Sequence, residues 1–322
     1  MTKNNVAFLF PGQGAQYPGM ALDFLTAGGE AVKKLFDTAS AVFENDPEAM
    51  MNLDSETLKR TDISQPAITL ANLSAAAFLA AQGWEPKACA GFSLGEYAAL
   101  VCAGVISTED CFRLVKARGK AMQRSADRQR EAAGGDVSAA PGMAAVIGLS
   151  PEQAEAFITR WSAEGLKDLY AANINSPRQL VISGSAAALA AAETRFKEAG
   201  ARRVLRLQVA GPFHSPLIAD AAEAFRPHLE AVVFGDPKIP LYSNVTGRRV
   251  SSGEEAKKNC LLQITSPVRW VDVEAAIAGC GLSACLEAGP GKVLQGLWKD
   301  SGSEIPCYAA GTAEDIGKIG NE

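Results

Sequence analysis

Only two histidines, His214 and His228, occur in the 322 residues, so a neutral imidazole base has very few places to come from. The seven cysteines (Cys89, Cys102, Cys111, Cys260, Cys280, Cys285 and Cys307) are odd in number, scattered and without a CxxC spacing. They build neither a disulfide framework nor a zinc site and read as buried or idle thiols of a reducing compartment; no metal is expected. An excess of positive charge is missing too. Lys and Arg number 31 against 36 Asp and Glu, a net charge of −5, which excludes the electrostatic footprint of a nucleic-acid or anionic-membrane binder. The opening MTKNNVAFLFPGQG lacks the apolar core of a signal peptide, and no stretch reads as the ~20 apolar residues of a membrane span, so a cytoplasmic protein is expected. Internal repeats and low-complexity tracts are absent as well.

What is present is the composition of an ordinary globular chain, 48% hydrophobic and 21% charged. This length suits a single large α/β domain, or one with a small domain inserted in it, better than a string of modules, because single cores stop growing near ~250–300 residues. The apolar run Val6 to Phe10 ends in Pro11-Gly12-Gln13-Gly14, a buried strand stopping at a tight turn on the carboxyl edge of a sheet. The Ala-rich stretch from Ile63 to Ala81 reads as a buried helix with Pro66 in its first turn. A second strand, Ala88 to Phe92, runs through Gly91-Phe92-Ser93-Leu94-Gly95 into another Ala-rich helix.

Residues Arg124 to Pro141 are small and polar without an apolar period, which predicts a loop and a domain boundary. Beyond it the order strand, helix, strand, strand, helix, strand runs from Gly142 to Val209, the β-α-β-β-α-β order of a ferredoxin-like unit. The expected division is therefore a large α/β domain over 1–126 and 210–322, and a small ferredoxin-like domain with its leading loop over 127–209. A ligand belongs in the cleft between them.

G-x-S-x-G alone is a weak signal, equally available to a helix start that prefers small residues. Here it lies between an apolar strand and a helix, which places the Ser93 hydroxyl on a strained elbow at the positive end of the helix, with the Leu94 backbone N–H ready to meet an oxyanion. A serine nucleophile needs a base. His228 falls in the helical stretch FRPHLEA and reads as a surface residue, whereas His214 sits in the rigid turn Gly211-Pro212-Phe213-His214-Ser215-Pro216 where the small domain returns to the large one. No acidic residue near these motifs completes a triad, so a backbone carbonyl or an amide is left to orient the imidazole. A Ser–His dyad performs acyl transfer through an acyl-serine, with Gln13 as a second backbone oxyanion donor. For Arg118 two readings stay open: a bidentate clamp for a carboxylate, or a charge solvating a helix end.

These residues together resemble the malonyl-CoA:acyl-carrier-protein transacylase family, to which the acyltransferase domains of polyketide and fatty-acid synthases also belong. The resemblance runs from Val6 to about Trp298 through FPGQGAQYPGM (10–20), GFSLGEYAAL (91–100), ARGKAMQ (117–123), NINSPRQLVISG (173–184), GPFHSP (211–216), SNVTG (243–247), QITSPVRW (263–270) and EAGPGKVLQGL (287–297). It implies an α/β-hydrolase-like large domain with a ferredoxin-like insertion, and transfer of malonyl from coenzyme A, a substrate and not a cofactor, to the thiol of an acyl carrier protein. By motif it implies Ser93 as nucleophile, His214 as base, the Gln13 and Leu94 N–H groups as oxyanion hole and Arg118 on the malonyl carboxylate. Gln263 then helps fix the histidine, Phe213 favours malonyl over branched extenders, and a monomer is the family's habit. The family reads G-H-S-x-G where this chain has Phe92, and the 126–141 connection looks long. A carrier-protein dock is expected on the last helix and strand of the small domain, around Arg202, Arg203 and Arg206. Fatty-acid biosynthesis is the expected setting, and the competing expectations are a trans-acting acyltransferase of a polyketide pathway, a thioester hydrolase and a docking module without chemistry.

Overall fold

The computed structural model describes residues 2–319; the outer limits of the expected large domain, residue 1 and residues 320–322, lie outside the described residues. In chain order the strands are β1 (Val6–Phe10), β2 (Pro86–Gly91), β3 (Gly142–Ile147), β4 (Leu169–Ser176), β5 (Gln179–Gly184), β6 (Arg203–Arg206), β7 (Leu241–Tyr242), β8 (Val268–Arg269), β9 (Ala284–Glu287) and β10 (Cys307–Ala309). They make two five-stranded sheets. The first, ordered β10-β9-β1-β2-β7, is parallel throughout. Its centre is β1, an unbroken apolar run because both of its faces are covered. Val6, Phe8 and Phe10 enter one hydrophobic cluster and Ala7 and Leu9 another, as the two-residue period of a strand requires.

The second sheet is ordered β6-β3-β5-β4-β8. Its first four strands are antiparallel and have the 4-1-3-2 order of a ferredoxin-like unit, with the helices Pro151–Ala163 and Ala186–Glu198 on one face. The expected fold class, an α/β large domain with a ferredoxin-like insertion, is the one seen. Two features go beyond it. Strand β8, from the returning large-domain segment, adds in parallel to β4, so the small sheet is not confined to the insertion. The free face of the small sheet, through Met143, Ala145, Ala172 and Val181, joins the same hydrophobic cluster as Phe8 and Leu94. The two bodies therefore share a core as well as a cleft.

Other expectations need correction. The stretch from Arg124 to Pro141 was expected as a loop, yet the helix Thr108–Ala132 continues through its first half and only residues 133–141 are loop. The polar residues there are the solvent face of a helix whose inner side, Ser125 and Ala126, is buried. Pro66 lies in the second turn of the helix Thr61–Ala81, which starts earlier than its apolar run. That helix, with 21 residues, is long and apolar enough to cross a membrane by length and composition, against the expectation that no stretch is. Its apolar faces are buried in the large domain, 78% of the window being covered by protein.

Candidate active site

The turn from β2 into the helix Gly95–Cys102 is made by close approach of backbone. A Cβ on Gly91 would lie 1.9 Å from the carbonyl carbon of Gly95, and one on Gly95 would lie 2.0 Å from the Phe10 carbonyl oxygen. Only glycine at both positions lets β1 press against the elbow, where Phe92 N–H donates to Phe10 O at 2.8 Å. Ser93 sits at the apex with φ 49°, a left-handed conformation uncommon for a residue with a side chain.

His214 Nε2 lies 2.9 Å from Ser93 Oγ. The other ring nitrogen, Nδ1, is 2.9 Å from the backbone carbonyl of Gln263. A carbonyl only accepts, so Nδ1 carries the proton and the Nε2 lone pair faces the serine hydroxyl, the tautomer a general base needs. The orienting group is thus a backbone carbonyl, one of the two options left open by the lack of a nearby acid. Burial first, and then the positive charge of Arg118, pull the imidazole down to a pKa of about 4, with the carbonyls of Gln263 and Ser266 opposing. His214 is 4% exposed and stays neutral through the physiological range, whereas His228 lies on the surface.

Arg118 is 1% exposed, in the middle of the helix Thr108–Ala132, which rules out the helix-end reading. Its Nη2 donates to Gln263 Oε1 at 2.9 Å and reaches Ser93 Oγ at 3.5 Å, while the guanidinium lies 5.5 Å from the centroid of the Tyr97 ring. Its Nε is buried without a hydrogen-bond partner. The site thus holds a buried guanidinium beside Ser93, and a buried donor without a partner is uncommon in a folded protein.

Gln263 ties the cluster together. Its Nε2 donates to Ser93 O at 3.0 Å and closely to Glu96 Oε2. Asn244, just past β7, braces the elbow from below: its Oδ1 accepts from Ser93 N–H at 2.6 Å and its Nδ2 donates to Gly91 O at 2.7 Å. Sequence reasoning assigned no role to Asn244 or Glu96, although both stand in the quoted motifs. A lone carboxylate in the apolar helix GEYAALVC was the available signal for Glu96, since carboxylates are rarely buried without a partner. Asn244 gave none, because its function is a contact across 151 residues.

Ser93, His214 and Arg118 line a cleft of about 260 Å³ between the two sheets, and Gln263, Glu96 and Asn244 lie behind its wall. Gln13, Phe92, Ser93, Leu94, Arg118 and Phe213 face it from the large-domain side, and Asn173, Asn175 and Gln179 bring amides from the small sheet. Among the described residues the backbone N–H groups of Gln13 and Leu94 donate to no protein acceptor. The Phe92 ring packs edge-on against Trp270, centroids 5.3 Å apart. Phe213 is buried, its carbonyl accepting from Ser183 Oγ at 2.5 Å. The three arginines do not form one patch. Arg203 and Arg206 are three residues apart on β6, so they project from opposite faces: Arg206 turns to the helix side and donates to Ala186 O, and Arg203 pairs with Ile147 on the other face. Arg202 is exposed just before the strand.

A serine on a strand-to-helix elbow, paired with a histidine beneath a small-domain cap, defines an enzyme of covalent acyl transfer. The chain belongs to the acyl transferase domain family, whose model matches residues 7–318. It is 35% identical over 314 residues to the malonyl CoA-acyl carrier protein transacylase of Bacillus subtilis (strain 168), covering 97% of this chain and 95% of that protein. It superposes with a TM-score of 0.89 and 34% identity on an acyl carrier protein S-malonyltransferase from Vibrio cholerae O1 biovar eltor, covering 98% of this chain and all of the other. A malonyl-transacylase solved in complex with a type II PKS acyl-carrier protein matches with a TM-score of 0.88 and 34% identity, over 99% of this chain and 100% of that one.

Proposed function

We propose that the protein moves a malonyl group from coenzyme A to the phosphopantetheine thiol of an acyl carrier protein, in the cytoplasm and in the service of fatty-acid synthesis. The observation that carries the substrate is Arg118: a buried guanidinium reaching within 3.5 Å of the nucleophile with an unpartnered Nε–H suits an acyl chain that ends in a carboxylate. The names of the relatives point the same way.

In the first half-reaction Ser93 Oγ attacks the thioester carbonyl and its proton passes to His214 Nε2, while Gln263 O holds the Nδ1–H side of the ring. The oxyanion is met by the free N–H groups of Gln13 and Leu94. The tetrahedral adduct collapses, the C–S bond breaks, and His214 returns the proton to the coenzyme A sulfur. In the second half the carrier thiol gives its proton to His214 and its sulfur attacks the malonyl-serine carbonyl; the ester C–O bond to Ser93 breaks and His214 returns the proton to Ser93 Oγ. The amides of Asn173, Asn175 and Gln179 suit the amide bonds of a pantetheine arm. Arg202 and Arg203 are the docking candidates that fall outside the helix-side face of β6.

Intact-protein mass tests the reading. Malonyl-CoA alone should leave a malonyl adduct that disappears on addition of holo carrier protein. Rapid free malonate would make the protein a hydrolase, and no adduct a module without chemistry. Arg118→Ala should cost malonyl transfer far more than acetyl transfer, by ~3–5 kcal/mol, because the substrate carboxylate is then buried unpaired. Equal losses on both substrates would remove Arg118 from the acyl site.

A further inference from the structure

Glu96 is 3% exposed and lies within the catalytic cluster, yet no step above uses it. Its Oε2 accepts from Gln263 Nε2 and from the Asn244 backbone N–H at 3.5 Å. The same Gln263 amide presents its Oε1 to Arg118 Nη2 at 2.9 Å. One amide therefore stands between a buried carboxylate and a buried guanidinium, its donor end on the first and its acceptor end on the second. An amide flipped by 180° would turn its N–H₂ toward Arg118 and its oxygen toward Glu96, so the two charges together select one orientation. Two further groups that titrate face the pair, Tyr97 on the same helix and Cys260 on the helix Gly253–Leu262, and burial raises the pKa of both, keeping them neutral. The remaining one, His214, is neutral for the reasons given above. Arg118 and Glu96 are thus the two groups of this cluster that can be charged near neutral pH.

We propose that Glu96 is a positioning residue that acts through Gln263 as the internal counter-charge of Arg118, so that a substrate carboxylate and the Glu96 carboxylate compete for one guanidinium. In the empty enzyme Glu96 balances Arg118 and, by fixing the Gln263 amide, holds the guanidinium beside Ser93. When an acyl carboxylate arrives, two negative charges face one positive charge in a poorly solvated site, and the inner one is relieved by taking up a proton. Glu96 is suited to this because burial, outweighing its hydrogen bonds and Arg118, already places its pKa at about 7. The outcome is a preference for carboxylate-bearing acyl groups that strengthens as Glu96 becomes neutral.

This inference rests on the proposed malonyl transfer, and the test separates the two. Single-turnover acylation of Ser93 is measured with malonyl-CoA and with acetyl-CoA, which lacks the carboxylate, from pH 5.5 to 8.5. The ratio of the two kcat/KM values should fall by about tenfold as pH rises, the response to a coupling of about one pKa unit. The neutral His214 base and everything else common to both substrates cancel in that ratio. Glu96→Gln keeps an acceptor for Gln263 Nε2 but cannot ionise; its ratio should be flat and close to the wild-type value at pH 5.5. A malonyl adduct with a flat wild-type ratio, or the same slope in Glu96→Gln, would leave the activity standing and overturn the role of Glu96. Absence of a malonyl adduct at every pH would overturn both.

Discussion

Ser93 and His214 meet at 2.9 Å from two positions of left-handed backbone, φ 49° and φ 57°. A residue with a Cβ held there is strained by ~1–2 kcal/mol, so the site stores strain on both sides of its central hydrogen bond. Ser93→Ala removes the hydroxyl and keeps the strain; Ser93→Gly removes both. Both variants should be unable to form an acyl adduct. Urea unfolding should find the glycine variant more stable than the alanine variant by about 1 kcal/mol. Equal stabilities would mean that the elbow is not strained at this residue.

Asn244 holds the elbow from both sides, and its loss exposes the arrangement directly. Asn244→Ala would leave the Ser93 N–H and the Gly91 carbonyl without their amide partner. The cost should be ~2–6 kcal/mol of stability, at ~1–3 for each of the two buried groups left unpaired. Acylation should slow by more than tenfold, because the nucleophile is no longer held. Unchanged unfolding and unchanged acylation would show that glycine packing alone fixes the turn.

The acid limb of the acetyl-CoA acylation profile should report His214. The neutral imidazole is the active form, and burial together with Arg118 lowers its pKa to about 4. Rate should therefore persist as pH falls past the ordinary histidine value near ~6.5 and decline only as pH approaches 4. The stability contribution has the same sign: it is present above the unfolded-state value and lost as pH falls through the folded one. A limb centred near 6.5 in kcat/KM would place a solvated base in the reaction.

Phe92 stands where relatives of this family were expected to carry histidine, and its ring lies against Trp270 beside the nucleophile. All the groups invoked in the mechanism are supplied elsewhere, so an active enzyme with a drier pocket wall follows. Phe92→His should keep transfer within about tenfold, ~1.4 kcal/mol, and raise spontaneous malonate release from the acyl-serine. A wild-type protein that forms no adduct, together with a histidine variant that does, would show that the ring blocks the site.

The sequence was enough for the features that local chemistry decides. A five-residue apolar run must be a strand covered on both faces, G-x-S-x-G between strand and helix must be a strained turn, and two histidines leave little choice of base. The order β-α-β-β-α-β likewise sufficed for the ferredoxin-like topology. Tertiary structure decided everything that depends on contacts distant along the chain. Whether Arg118 ended a helix or lay buried beside Ser93 turned on the packing around it. That Arg203 and Arg206 leave β6 on opposite faces was, by contrast, already fixed by their three-residue spacing in the expected strand. That the Gln263 backbone holds His214 while its side chain holds Arg118, Ser93 and Glu96 had no local signature. Hydrogen bonds between residues 49 to 170 positions apart are set by how elements pack, and a backbone carbonyl, present in every residue, carries no mark in the sequence of the partner it will meet.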